Sequence, residues 1–381
     1  MLIEIRKAGF INKGAELMLY ATLKKMKEAY PKANFVMAPS ADNGSAPYFK
    51  RAELGFLQKA WFSCLGLQFG DLAAFAPKKL REAYGVILDK DINIVIDAAG
   101  FSYSDQWGVK STSELAKSCK RWKKQERKVI LLPQAFGPFN SPKIQDYIKI
   151  AVDNLDLAFA RDPVSYQHLT QVVGERSTIR IAPDFTNILE GIVPQYFDAE
   201  NHRLCFVPNY RMIDKTPRDQ SEAYLPFMIK CAQYCLKKNL KPFILIHEGP
   251  NDLMLAQHIS DGVGGNLPII QESHPLKIKG ILGACQGTIG SRFHGLVSAL
   301  SQGVPSLATG WSHKYKMLFH DYSFDDGLLD VMADDEEIFK KIDMITEGDS
   351  KEEIISRITV KSEELKKLTN DMWETVFNVL N

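Results

Sequence analysis

The chain has 381 residues and carries 47 Lys and Arg against 46 Asp and Glu. That length exceeds one ordinary core and suits two domains, while the balanced charge argues against nucleic acid as a partner, since such a binder neutralises many phosphates. A composition 45% apolar and 10% aromatic excludes disorder as the main theme.

Short apolar runs alternate with helical patterns, the signature of parallel α/β architecture. In chain order the first half predicts strands at Leu2–Arg6, Asn34–Ala38, Ile92–Asp97, Val129–Pro133, Leu157–Arg161 and Ile179–Pro183. Helices are expected between them, at Ala15–Ala29, Ser113–Gln125 and Lys143–Leu155. Residues 185–202, with Gly191, Pro194 and the polar run Asp198–His202, read as a linker. The second half predicts strands at Leu204–Pro208, Pro242–His247, Leu267–Gln271, Gly287–Gly290 and Ser306–Thr309. The domains expected are therefore 1–190 and 200–345, each Rossmann-like. From 350 to 381, Ile354, Ile358, Leu365, Leu368, Met372 and Val376 recur at helical spacing. That amphipathic helix needs a surface to cover, either the domain junction or the second domain alone.

The six cysteines, at 64, 119, 205, 231, 235 and 285, form no Cys-x-x-Cys pair, so no metal site is expected. The start, Met-Leu-Ile-Glu-Ile-Arg-Lys, puts charges where a secretory leader needs an apolar run. No stretch approaches the roughly 18 to 20 apolar residues of a membrane span. A reduced, cytoplasmic protein is the expectation.

Ligands of open parallel sheets bind beyond the carboxyl ends of the strands, so the polar residues there matter most. The first strand leads into Gly9-Phe-Ile-Asn12-Lys13-Gly14, which either presents N–H groups to an anion or is a helix cap made by Asn12. Other strand ends carry Asp97-Ala-Ala-Gly100, Gln134-Ala-Phe-Gly137-Pro138 and Ala160-Arg161-Asp162-Pro163. Asp162 before Pro163 is a structural N-cap. Capping gives no reason for the cation Arg161 at a helix start, which leaves an anionic ligand or a salt bridge to a nearby carboxylate.

The densest constellation is Thr288-Ile-Gly290-Ser291-Arg292-Phe293-His294-Gly295, then Gly303-Val-Pro305, then Trp311-Ser-His313-Lys314-Tyr315. It reads as a strand, a turn bearing Arg292 and His294, a helix to about Gln302, and a short strand whose turn bears Lys314. Guanidinium, imidazole and ammonium then converge on one sheet edge, an anion site with a residue fit for proton transfer. A capping or packed histidine and a solvated lysine are the structural alternatives.

Together these residues resemble the polysaccharide pyruvyl transferase family. The resemblance is carried by Arg292-Phe-His294, Gly303-Val-Pro305 and Lys314, with Asn12-x-Gly14, Gln134-x-x-Gly137-Pro138, Arg161-Asp162 with Ser165 and Leu169, and Pro183-Asp184. It spans about residues 9 to 320 in the family's order. The first loop departs from the common version, with Ala15 and Glu16 where the family has Asp after its second glycine, so no acidic role carries over.

What the resemblance implies is a GT-B-like α/β fold, two Rossmann-like domains with parallel sheets facing across a cleft and a C-terminal helix packing back on the body. It also implies phosphoenolpyruvate as donor substrate, no cofactor, no metal, and a cyclic pyruvate ketal formed on a sugar or lipid-linked glycan acceptor. His294, Arg161 and Lys314 are then the catalytic expectations. Arg292, Ser291, Lys314, Arg161, Asn12 and Gly14 would bind the donor, with Arg161 reaching over from the first domain. Asp97 and Gln134 are acceptor-side candidates, with Asp42 and Asp105 beside them. Tyr48, Phe49, Phe56, Trp61, Phe62, Phe69 and Phe75, interspersed with Lys50, Arg51 and Lys59, form either packed helices or a surface for sugar or peripheral membrane contact. Two other functions stay open: a GT-B glycosyltransferase using a nucleotide sugar, and a non-catalytic glycan- or anion-binding protein.

Overall fold

Runs such as Val129-Ile-Leu-Leu132 are apolar at every position, as strands covered by helices on both faces require. In the computed structural model, which describes residues 1–39, 46–64 and 67–381, these runs build two parallel sheets. Contacts divide the chain into two units: Met1–Ile11, Met18–Phe185 and Leu368–Asn381 in the first, Asn12–Leu17 and Thr186–Lys367 in the second.

The first unit holds β1 (Leu2–Arg6), β2 (Asn34–Met37), β3 (Leu57–Lys59), the two-residue strands β4 (Ser63–Cys64) and β5 (Leu67–Gln68), β6 (Val86–Ile87), β7 (Ile94–Asp97), β8 (Lys128–Gln134), β9 (Leu157–Ala160) and β10 (Ile179–Ile181). Eight form one sheet in the order β10-β9-β8-β7-β1-β2-β3-β6, and β4 pairs antiparallel with β5. The register sets Arg6 beside Asp97 at the carboxyl ends of β1 and β7. Strands β3 and β6 were not expected from the sequence. They extend the sheet through 57–59 and 86–87, and Lys59 is buried there between Glu4 at 2.6 Å and Asp89 at 2.7 Å. Lys59 is thus part of the ionic interior rather than a basic surface. Phe56 is buried against Phe35, whereas Tyr48, Phe49, Phe62 and Phe75 are exposed.

The second unit holds β11 (Leu204–Val207), β12 (Pro242–Ile246), β13 (Ile269–Gln271), β14 (Gly287–Gly290) and β15 (Ser306–Ala308), in the order β13-β12-β11-β14-β15. Its core is continuous from Phe206 and Ile244 to Leu296, Ile342 and Ile358. The final helix, Gly348–Leu380, serves both units in turn. Ile354, Ile358 and Leu365 belong to the second unit's core, while Met372, Trp373 and Val376 are buried in the first, Trp373 edge-on to Phe185. Leu368, expected on the apolar stripe, is 52% exposed where the helix changes units. Among the described residues no helix is long and apolar enough to cross a membrane.

Candidate active site

Strands β11, β12, β14 and β15 run parallel, so the turns that follow them leave the sheet at one edge. After β14, Ser291 and Arg292 lead into helix Phe293–Leu300, with Arg292 at its N-cap. The Ser291 hydroxyl lies 2.9 Å from Tyr224 Oη and 2.6 Å from Thr309 Oγ1, and its carbonyl accepts from Asn209 Nδ2 and Tyr315 Oη. Ser291 is fully buried and its polar atoms are spent on the turn. Expected among the donor-binding residues, it lies beneath the Arg292 turn and ties that turn to Tyr224, Thr309, Asn209 and Tyr315.

Arg292 is held by two carboxylates. Its Nε and Nη2 donate to both oxygens of Asp252, at 2.8 and 2.5 Å, and its Nη1 donates to Glu248 Oε2. Asp252 also accepts from the Tyr210 N–H at 3.0 Å. Burial pushes the Asp252 carboxyl upward, and Arg292 beside it does not fully offset that. A bidentate carboxylate fixes a guanidinium plane and leaves its remaining edge for another anion, here Glu248.

Glu248 stands at the N-cap position of helix Gly249–Gly262, which follows β12, and the same Oε2 accepts from Asn12 Nδ2 at 3.2 Å. Asn12 in turn accepts from the N–H groups of Gly14 and Ala15, at 2.9 and 3.1 Å. That is the helix-capping role foreseen for it, and its amide reaches the Arg292 cluster as well. Gly14 lies against His294: a Cβ at residue 14 would overlap the imidazole Nδ1 and Cγ. The first loop and the His294 turn therefore meet within the second unit.

His247, at the carboxyl end of β12, was not singled out from the sequence. It is 3% exposed, and neither ring nitrogen has a hydrogen-bond partner among the described residues. Burial, then the charges of Arg292, His294 and Lys13, hold its pKa well below the usual imidazole value. It is a neutral ring packed among cations. Its signal was positional, since His247, Glu248 and Asp252 follow a strand as Arg292 and His294 do.

The turn after β15 brings Lys314 onto three rings. Its Nζ lies 4.7 Å from the Trp311 centroid, 5.1 Å from Phe293 and 5.5 Å from Tyr315. The faces of these rings hold the ammonium by the attraction between a cation and a π-system. Gly310 makes room for the Tyr315 ring, which a Cβ there would overlap.

The remaining candidates belong to the first unit. Arg161 is 5% exposed, with Nη1 3.2 Å from Asp184 Oδ2. The salt bridge anticipated as one explanation of this cation is thus present, and it joins two of the family markers. Asp162 caps helix Pro163–Val173 by accepting from Ser165. Asp97 is wholly buried, paired with Arg6 at 3.1 Å and accepting from Tyr103 Oη at 2.8 Å and the Ala99 N–H at 3.1 Å. Gln134 is also wholly buried, its backbone carbonyl accepting from the Arg161 N–H. Both side chains, expected on the acceptor side, are buried within the first unit. Asp105 accepts from the N–H groups of Asn140 and Ser141 and is spent on that turn. Asp42 lies outside the described residues. Among the described residues no group of three or more His, Cys, Asp or Glu gathers as a metal site would need.

The family model for polysaccharide pyruvyl transferase matches residues 12–313. No curated protein sequence is significantly similar to the chain. Among solved structures, Anabaena HepE in complex with UDP is similar at a TM-score of 0.60 and 12% identity, over 99% of both chains. A UDP-GlcNAc 2-epimerase from Neisseria meningitidis bound to UDP-GlcNAc gives 0.60 at 9%, over 99% of this chain and 100% of that one. A putative UDP-N-acetylglucosamine 2-epimerase from Listeria monocytogenes gives 0.58 at 11%, over 97% and 94%. At such identities the likeness is one of fold, and the fold is GT-B-like with two Rossmann-like units.

Proposed function

This chain belongs to the polysaccharide pyruvyl transferase family, and from that premise we propose that it transfers pyruvate from phosphoenolpyruvate to two sugar hydroxyls of a glycan acceptor, forming a cyclic ketal and releasing phosphate. The observation that carries the reading is the convergence of Arg292, His294 and Lys314 at one edge of the second sheet, with Asn12 and Gly14 closing on the same place.

Phosphoenolpyruvate brings a carboxylate and a phosphate, so its site needs a fork and a point charge. Arg292, its plane set by Asp252, supplies the fork on its Nη1 edge, where Glu248 occupies the position an incoming anion would take. Lys314 supplies the point charge from its aromatic cage. Arg161, buried against Asp184, orders the first unit's turn and is given a positioning role.

Ketal formation begins with a proton delivered to the methylene carbon, which leaves C2 oxocarbenium-like. One sugar hydroxyl adds at C2 and phosphate leaves with its bonding electrons. The second hydroxyl then closes the ring, and the two hydroxyl protons replace the one consumed and neutralise the phosphate. His294 is the residue proposed to move a proton, as acid toward the methylene or as base toward a hydroxyl. Such a transfer contributes ~10²–10⁴-fold in rate.

The test is turnover. Phosphoenolpyruvate and a panel of glycans should release phosphate and add one pyruvate less one water to an acceptor, and His294→Ala should abolish this. Consumption of a nucleotide sugar, with no use of phosphoenolpyruvate, would instead favour glycosyl transfer, the reading that the UDP-bound fold neighbours bring into play.

A further inference from the structure

The first unit has a hollow at the carboxyl ends of β1 and β7. It measures about 490 Å³ and is lined by Lys7, Phe101, Trp107, Lys110, Ser111 and Glu114. That volume is within the range of small-molecule sites, roughly 300–1,000 Å³. Phe101 and Trp107 meet edge to face at 6.0 Å, and Trp107 is 37% exposed, so part of this aromatic pair is open to solvent at the hollow. Aromatic faces stack on the C–H faces of sugar rings.

The charge around the hollow is lopsided. Glu114 is answered from behind by Arg6, which also pairs with Asp97. Lys7 approaches Glu114 only to 3.5 Å, and Lys110 has no ion pair among the described residues. Arg6, Lys7 and Lys110 thus stand against two carboxylates, leaving a positive excess at the mouth. Lys7 is also held in left-handed backbone at φ 61°, a conformation rare for a side-chain-bearing residue and frequent at functional positions. Hydroxyls from Ser102 and Ser111 complete a lining that is aromatic, cationic and hydrogen-bonding at once.

We propose that this hollow binds an acidic sugar, one whose ring lies on Trp107 and whose phosphate or carboxylate is met by Lys110 and Lys7. In the pyruvyl transfer reading, on which its role rests, this is the acceptor's place, and an acidic group on the glycan is the specificity determinant.

The experiment is a fluorescence titration of the whole chain without phosphoenolpyruvate, using hexose 1-phosphates, hexuronic acids, neutral methyl hexosides and inorganic phosphate. At least one acidic sugar should saturate, with the methyl hexosides and inorganic phosphate about tenfold weaker. The better acid of the two classes identifies the group recognised. Lys110→Ala and Trp107→Ala should each weaken it about tenfold, and added salt should weaken it in the unmodified chain. Lys110 is exposed, so its replacement leaves the fold intact. Absence of saturation by every acidic sugar, or binding indifferent to Lys110→Ala and Trp107→Ala, overturns the proposal. Because no donor is present, failure here leaves the donor assignment standing. Loss of phosphoenolpyruvate binding elsewhere leaves this site standing.

Discussion

Gly14 leaves the space that the His294 imidazole fills: a Cβ at residue 14 would overlap Nδ1 and Cγ of that ring. Two motifs 280 residues apart in the chain are thereby one piece of the site. Gly14→Ala should displace the imidazole, and a misplacement of this kind costs about 10²-fold in turnover. Circular dichroism should stay native, and unchanged turnover would show that His294 tolerates the shift.

Glu248 sits on the Nη1 edge of Arg292 and shares its oxygen with Asn12. If it stands where the donor's anion binds, Glu248→Gln removes a competing charge while keeping the shape. Phosphoenolpyruvate should then bind roughly fivefold tighter. Weaker binding would mean that Glu248 orients Arg292 for the ligand instead of holding its place.

Asp252, 1% exposed, receives two of the Arg292 donors. Breaking a buried pair from one side is costly, so Asp252→Asn should lose about 3 kcal/mol in urea unfolding. A loss near zero would mean that Glu248 alone satisfies the guanidinium.

Acid should weaken the first unit through Glu114. Burial pushes this carboxyl up, but the Arg6 charge and hydrogen bond, Lys7 and Ser118 together outweigh it and bring the pKa from 4.5 to about 2. A carboxyl whose folded pKa is depressed stabilises the fold above its unfolded value and loses that contribution as pH falls through the folded one. The window is therefore pH 4.5 down to about 2. With the side chain 34% exposed, screening reduces the effect to about 1 kcal/mol. Glu114→Gln should flatten the urea midpoint across that window relative to the unmodified chain.

The long strands were legible because they carry apolar runs bounded by polar or glycine residues, as Ile94–Asp97 and Pro242–Ile246 do. Strands β3 and β6 are three and two residues long, too short to impose a period of their own. The Arg292 and His294 turn was legible from the spacing of cations. Its carboxylates were not, because Glu248 and Asp252 lie 44 and 40 residues away and only the sheet order brings them to Arg292. Asp97 and Gln134 show the limit of strand-end position. It marks an edge of the sheet without saying whether a side chain is open to ligand or turned into the packing. The capping of Asn12 and Asp162, a local matter of backbone N–H groups, was readable from the sequence alone.

Whether phosphoenolpyruvate is the donor is decided by a calorimetric titration of it beside UDP, with Arg292→Lys as the comparison. Saturable binding of phosphoenolpyruvate, weakened at least about tenfold when the fork of Arg292 is replaced by a point charge, is the predicted result. Saturable binding of UDP with none of phosphoenolpyruvate would contradict it.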